Sequence, residues 1–92
     1  MGDLWENFLL IERMKAYANK NQQLVHYNFW RSYDGAEVDY VEKPYDTPLS
    51  AYEFKYGNGR LKRGAYSFAS AYDTEVKLIN KDNYLDFVRL AV

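Results

Sequence analysis

With 92 residues the chain has room for one hydrophobic core, so it reads as a single domain over residues 1–92. Thirteen acidic against twelve basic side chains leave a formal net charge of −1, which excludes a global pull toward nucleic acid or acidic lipid and requires a local patch for either. The lack of cysteine excludes disulfides, thiolate nucleophiles and cysteine-based zinc sites and suits a cytoplasmic setting, and a single histidine argues against a histidine metal cage.

The segment from Asp3 to about Asn19 predicts a helix. Leu4, Phe8, Ile11 and Tyr17 or Ala18 make an apolar stripe, widened by Trp5, Leu9 and Met14, and Asp3 can cap its start. "NKNQQ" breaks the pattern as a polar loop. "LVHYNFWRSY", from Leu24 to Tyr33, is rich in β-branched and aromatic residues and reads as a strand. The Asp34–Gly35 pair signals a hairpin turn, so "EVDYVE" should return antiparallel. "KPYDTP" is a loop set by two prolines, "LSAYEFKY" a third strand, and "GNGR" its end.

Leu61, Ala65, Phe68 and Tyr72 then suggest a short helix ending near Asp73, although Gly64 weakens helix propensity there. "EVKLIN" is a fourth strand, and "KDNYLDFVRLAV" a last short helix with Tyr84, Leu85 and Val88 inward. The order is α-β-β-β-α-β-α. A helical crossover favours a parallel neighbour, so the fold class is α/β, a four-stranded mixed sheet flanked by helices. No apolar run approaches the ~18 residues of a membrane span, so no membrane partner is expected.

Several charges sit where a purely structural sequence would not put them. Asp39 lies inside a strand, where aspartate is depleted. Glu53 and Lys55, at i and i+2, share one strand face while Tyr52, Phe54 and Tyr56 share the other. Glu6 lies three and four residues before Leu9 and Leu10, near the apolar stripe. If the second and third strands are neighbours, Asp39 and Glu53 converge with Lys55 beside them. Two such carboxylates repel unless a cation or a shared proton intervenes, and the fitting cation is hard, Mg²⁺ or Mn²⁺. The plain alternative is a solvated strand face with an ion pair worth ~0.2–1 kcal/mol.

Glu6 in "LWENF", Asp39 in "AEVDYVE" and Glu53 with Lys55 in "YEFKYG" resemble the E…D…E-x-K signature of the PD-(D/E)XK nucleases, which have the restriction-endonuclease-like fold. More closely, "GDLWENFLLIERMK", "YNFWRSYDGAEVDYVE", "AYEFKYGN" and "VKLINKDNYLDFV" are similar, in order, to a C-terminal domain of unknown function in bacterial and archaeal AAA+ family ATPases. The resemblance implies Asp39 and Glu53 as metal ligands, Lys55 as catalytic lysine, and Glu6 as an acid that binds water or a second ion. It also implies an upstream ATPase domain as partner, DNA or RNA as candidate substrates, and a chain that is a C-terminal piece of a longer protein. Two departures stand out: Val38 replaces the proline before Asp39, and there is no G-x-x-x-x-G-K-[ST] phosphate loop.

"KYGNGRLKRG" gathers Lys55, Arg60, Lys62 and Arg63 among glycines, a composition that suits a phosphate backbone and equally a solvated loop. Arg31 is a further phosphate candidate, with an ion pair to Glu37 as its alternative. His26 reads as a packed or surface histidine, and Ser32 and Ser50 lack His–Asp partners for hydrolase chemistry. The functional expectation is a Mg²⁺-dependent nuclease-like module. Its alternative is a non-catalytic interaction module, which could act as a homo-oligomer.

Overall fold

Seven elements follow in the expected order: α1 (Gly2–Asn19), β1 (Leu24–Arg31), β2 (Glu37–Pro44), β3 (Ser50–Phe54), α2 (Arg63–Tyr72), β4 (Val76–Ile79) and α3 (Tyr84–Val88). The computed structural model describes residues 2–22, 24–31, 37–44, 47–57, 59–61 and 63–90, excepting the side chains of 2, 3 and 24–28. The Asp34–Gly35 turn, Lys62 and the side chains of Asp3 and His26 therefore lie outside the described residues. The strands form one sheet in the order β1-β2-β3-β4. The first three are antiparallel neighbours, and β4 runs parallel to β3, from Ala51↔Val76 to Phe54↔Ile79. The Lys55 N–H donates to the Ile79 carbonyl at 2.9 Å, which carries that ladder one step beyond β3.

Alternation along the strands divides the core in two. Tyr40, Tyr52, Phe54 and Ile79 pack with Leu9 of α1 and Phe87 of α3. Val38, Val41, Ala51 and Val76 pack with Ala65 and Phe68 of α2. Helices thus cover both faces of the mixed sheet, as the α/β order requires. Val38 and Val41 are three apart yet share a face. The register explains this, because Asn28↔Val41 is followed by Trp30↔Val38, so β2 spends one extra residue between the two pairs. That is a β-bulge, and Asp39 lies within it.

Helix ends follow from local chemistry. Asn21 adopts φ 56°, and the Gln22 and Asn21 N–H groups donate back to the Tyr17 and Ala18 carbonyls at 2.9 and 3.0 Å. This is a Schellman closure with asparagine in the left-handed position, so "NKNQQ" stops α1 by satisfying its last carbonyls. Asp73, at φ 52°, follows the last residue of α2. Before α3, Asn80 Oδ1 accepts the Asp82 and Asn83 N–H groups, while Asn83 Oδ1 accepts that of Asn80. The asparagines thereby build the turn between β4 and α3.

The expected α1 stripe needs correction. Leu9 and Tyr17 are buried and Trp5 packs on the core, but Leu4, Phe8, Ile11 and Ala18 point outward. The inward row is Leu9, Arg13 and Tyr17, at steps of four. Arg13 belongs there because β2 brings a buried acid to the same side. Arg13 Nε and Nη2 donate to the two carboxylate oxygens of Glu42 at 2.9 and 2.7 Å. Nη2 also donates to the Tyr52 hydroxyl at 2.9 Å, and Nη1 to the Phe87 carbonyl at 2.5 Å. The Tyr17 hydroxyl donates to Glu42 Oε2 at 2.6 Å, and the guanidinium lies 4.2 Å from the Phe87 ring centroid. In α3, likewise, Phe87 is the buried residue and Leu85 faces out, while Tyr84 and Val88 pack against the core as expected.

Gly64 serves packing rather than flexibility. A Cβ built there would overlap the backbone of Glu37, so only glycine lets the first turn of α2 approach the start of β2. Gly64→Ala gains helix propensity worth at most ~1 kcal/mol. It must also displace backbone, which costs about 1–3 kcal/mol in a packed site. The expected net effect is destabilisation, visible as a lower urea midpoint at unchanged slope.

Candidate functional site

The β2–β3 register runs as far as Tyr40↔Tyr52, so Asp39 and Glu53 are the next residues along the two strands. Glu53 follows Ala51 on the α2 face and is 0% exposed. Asp39 is half-buried, and its Oδ2 accepts the Phe54 N–H at 2.9 Å. The bulge explains this placement: it turns the Asp39 side chain toward β3, where the carboxylate does the work of a ladder carbonyl. An oxygen that accepts one N–H keeps a second lone pair, so this bond does not exhaust the carboxylate as a ligand.

Lys55 leaves β3 immediately beyond and is half-buried. Its aliphatic stem lies against Gly59, where a Cβ would come within 3.0 Å of Cδ, so the glycine-containing loop folds back over the lysine. Glu6 is half-buried on α1, three residues before buried Leu9. Its neighbour Trp5 packs edge-on against Phe54 and Tyr56, at centroid distances of 6.5 and 5.4 Å. The start of α1 therefore lies over the same end of β3, approached from the face opposite Glu53.

Arg31 ends β1 opposite Glu37, which starts β2. Their side chains pair at 2.6 Å, so the ion-pair alternative for Arg31 is realised, with its guanidinium 5.7 Å from the Phe29 ring centroid. Arg63 opens α2, whose next residue abuts the Glu37 backbone, and Arg63 and Arg60 are both exposed. Antiparallel strands put the start of β2 beside the end of β3. Glu6, Arg31, Asp39, Lys55 and Arg63 thus lie toward one end of the sheet with Glu53 buried beneath it, and Arg60 sits on the segment that follows.

A metal would have to be held by few protein ligands. Among the described residues, no three His, Cys, Asp or Glu side chains form a cage. Mg²⁺-type coordination needs only one or two carboxylates. Of the two acids here Asp39 is accessible while Glu53 is fully buried, so Glu53 could join such an ion only if the α2 face opens. Glu42, the other buried acid, is committed to Arg13 and Tyr17 on the α1 side. Arg13 and Glu42 do not stand out in the sequence as a pair. The available signal was Arg13 falling four residues from both Leu9 and Tyr17.

Fold and site together define the class: an α/β domain with a helix-flanked mixed sheet that gathers acids and bases at one end. The chain belongs to the family described as Domain of unknown function (DUF4143), which matches residues 1–88. No curated protein and no solved structure matches the chain. No helix among the described residues is long and apolar enough to cross a membrane.

Proposed function

We propose that this domain is a nuclease-like module that engages a phosphodiester backbone through Mg²⁺ or Mn²⁺, appended to an AAA+ family ATPase in the parent protein. The observation that supports this reading is the position of Asp39, Glu53 and Lys55 at the same end of β2 and β3, with Arg60 and Arg63 exposed on the segment that follows. Asp39 and Glu53 would hold the ion, whose chemistry is to polarise a phosphate oxygen and acidify a bound water. Lys55 offsets the negative charge that builds on the attacked phosphate. Glu6, whose helix lies on the other face of the sheet, has no role at the ion, and Arg60, Lys62 and Arg63 hold the flanking phosphates.

Thermal melts with and without divalent cations test the ion, and cleavage assays on DNA and RNA test the chemistry. A cation that binds only the folded site adds ~1.4 kcal/mol at roughly ten times its dissociation constant. Glu53→Gln should abolish that gain and any cleavage. A melting temperature indifferent to millimolar Mg²⁺ and Mn²⁺, or cleavage that Glu53→Gln leaves intact, would remove these residues from the mechanism. A second reading, a non-catalytic interaction module, draws on a different feature: the apolar outer face of α1, with Leu4 78% and Ile11 54% exposed.

A further inference from the structure

Helix α1 is apolar on two sides; one faces the sheet, and the other stays largely exposed among the described residues. Leu9, Arg13 and Tyr17 face the sheet, while Leu4, Phe8 and Ile11, at steps of four and three, form a separate outward row. Phe8 is 45% exposed, and its ring packs edge-on against Tyr84 of α3 at 6.3 Å. Leu85, 46% exposed, follows Tyr84 on α3. Leu4 and Ile11 are seven apart, the repeat with which one helix presents a seam to another.

We infer that this outward row is a self-association surface, on which α1 pairs antiparallel with α1 of a second copy of the chain about an axis near Phe8. Three observations select this occupant. The row is nearly palindromic, with an aliphatic side chain one turn before Phe8 and another one turn after it. A two-fold axis then lays Leu4 of each copy on Ile11 of the other, the self-complementarity that an isologous interface needs. The area is also adequate. At roughly 200 Å² per fully exposed side chain, Leu4, Phe8 and Ile11 offer on the order of 350 Å², much of the apolar share of a ~800 Å² half-interface. Finally, charge does not oppose the pairing. The chain carries −1 overall, and at the edge of the row Lys15 is neutralised by Glu12 at 3.1 Å. An acidic partner, whether nucleic acid or lipid, would find no complementary field on this face.

Sedimentation of the chain from micromolar to sub-millimolar concentration should show a monomer–dimer equilibrium. Phe8→Glu should weaken it by on the order of tenfold or more, the loss expected for a central aromatic anchor. Phe8 is half-exposed, so an unchanged far-ultraviolet circular dichroism spectrum will show that the variant folds. Glu53→Gln should dimerise like the parent, which separates this surface from the metal site. With no native cysteine in the sequence, orientation can be read from single replacements. Phe8→Cys, at the axis, should form a disulfide-linked dimer under mild oxidation. Leu4→Cys alone should not, but mixed with Ile11→Cys it should. A mass that stays monomeric throughout would overturn the inference and leave the row to a different partner. Equal self-linking of the Leu4→Cys and Phe8→Cys chains would overturn the antiparallel geometry.

Discussion

Replacing Arg13 with methionine is expected to lower folding stability by about 3–5 kcal/mol, the usual cost of stranding one member of a buried ion pair. Arg13 is 2% exposed and Glu42 1%. Without the guanidinium, Glu42 keeps the Tyr17 hydroxyl but loses both bidentate donors, and the Phe87 carbonyl and Tyr52 hydroxyl each lose one too. Most small domains have only 5–15 kcal/mol to spare, so the variant should sit near its unfolding threshold. Arg13→Lys should recover only part of the loss, because an ammonium cannot span two carboxylate oxygens and a carbonyl as a planar fork does. The joint replacement of Arg13 by methionine and Glu42 by leucine should cost less than Arg13→Met alone, since no charge is then left unpaired. Urea denaturation of the four proteins measures all of this. A loss under 1 kcal/mol for Arg13→Met would mean that water replaces the guanidinium and that the pair is not a buried one.

Alkaline solution should unfold the domain steeply. Burial pushes the hydroxyls of Tyr17, Tyr40 and Tyr52 above the ordinary tyrosine range, and the nearby Glu42 charge pushes each of them further. For Tyr17 the cause is also direct, because its hydroxyl donates to Glu42 and an ionised phenol would set anion against anion. The Tyr40 hydroxyl makes no well-formed hydrogen bond among the described residues, and the Glu42 carboxylate beside it opposes its ionisation. The sign follows from proton counting. In the folded chain these three phenols hold their protons above pH ~10, where the unfolded chain releases them. Their contribution is complete below that pH and declines above it. At ~1.4 kcal/mol per pH unit for each group, the loss approaches about 4 kcal/mol per unit. Denaturation at a series of pH values should show a plateau that breaks near pH 10. Tyr17→Phe should make the decline shallower by about one group's share. A stability profile level to pH 11 would count against the burial of these hydroxyls in solution.

The sequence announced some parts of this architecture plainly and hid others. Strand and helix order were legible because each element carries its own period and its own stop, such as the asparagine after α1 and the glycines after β3. The parallel placement of β4 was legible too, because a helical crossover leaves few other solutions. The buried face of α1 was not. Leu4, Trp5, Phe8, Leu9, Leu10 and Ile11 surround the helix, so apolar spacing alone selects no side. What selects it is Glu42, 29 residues from Arg13, and no local pattern announces that pairing. Leu85 was misplaced for a similar reason, since a helix of five residues is too short for its period to be read. At the site, the E-x-K spacing marked Glu53 and Lys55 as neighbours at the end of β3. The bulge that turns Asp39 toward β3 depends on the register with β1, which two strands read separately do not reveal.

The Arg13 network also says something about the order of events as the chain folds. Its guanidinium joins residues 29, 39 and 74 positions away, on β2, β3 and α3. The β1-β2-β3 meander pairs neighbours in sequence and can close early, whereas the bond to the Phe87 carbonyl requires α3 to have docked beside α1. An interaction assembled that late stabilises the finished molecule more than the barrier leading to it. Arg13 therefore acts mainly as a latch on the way out, slowing escape from the native state while leaving the rate of arrival largely to the meander.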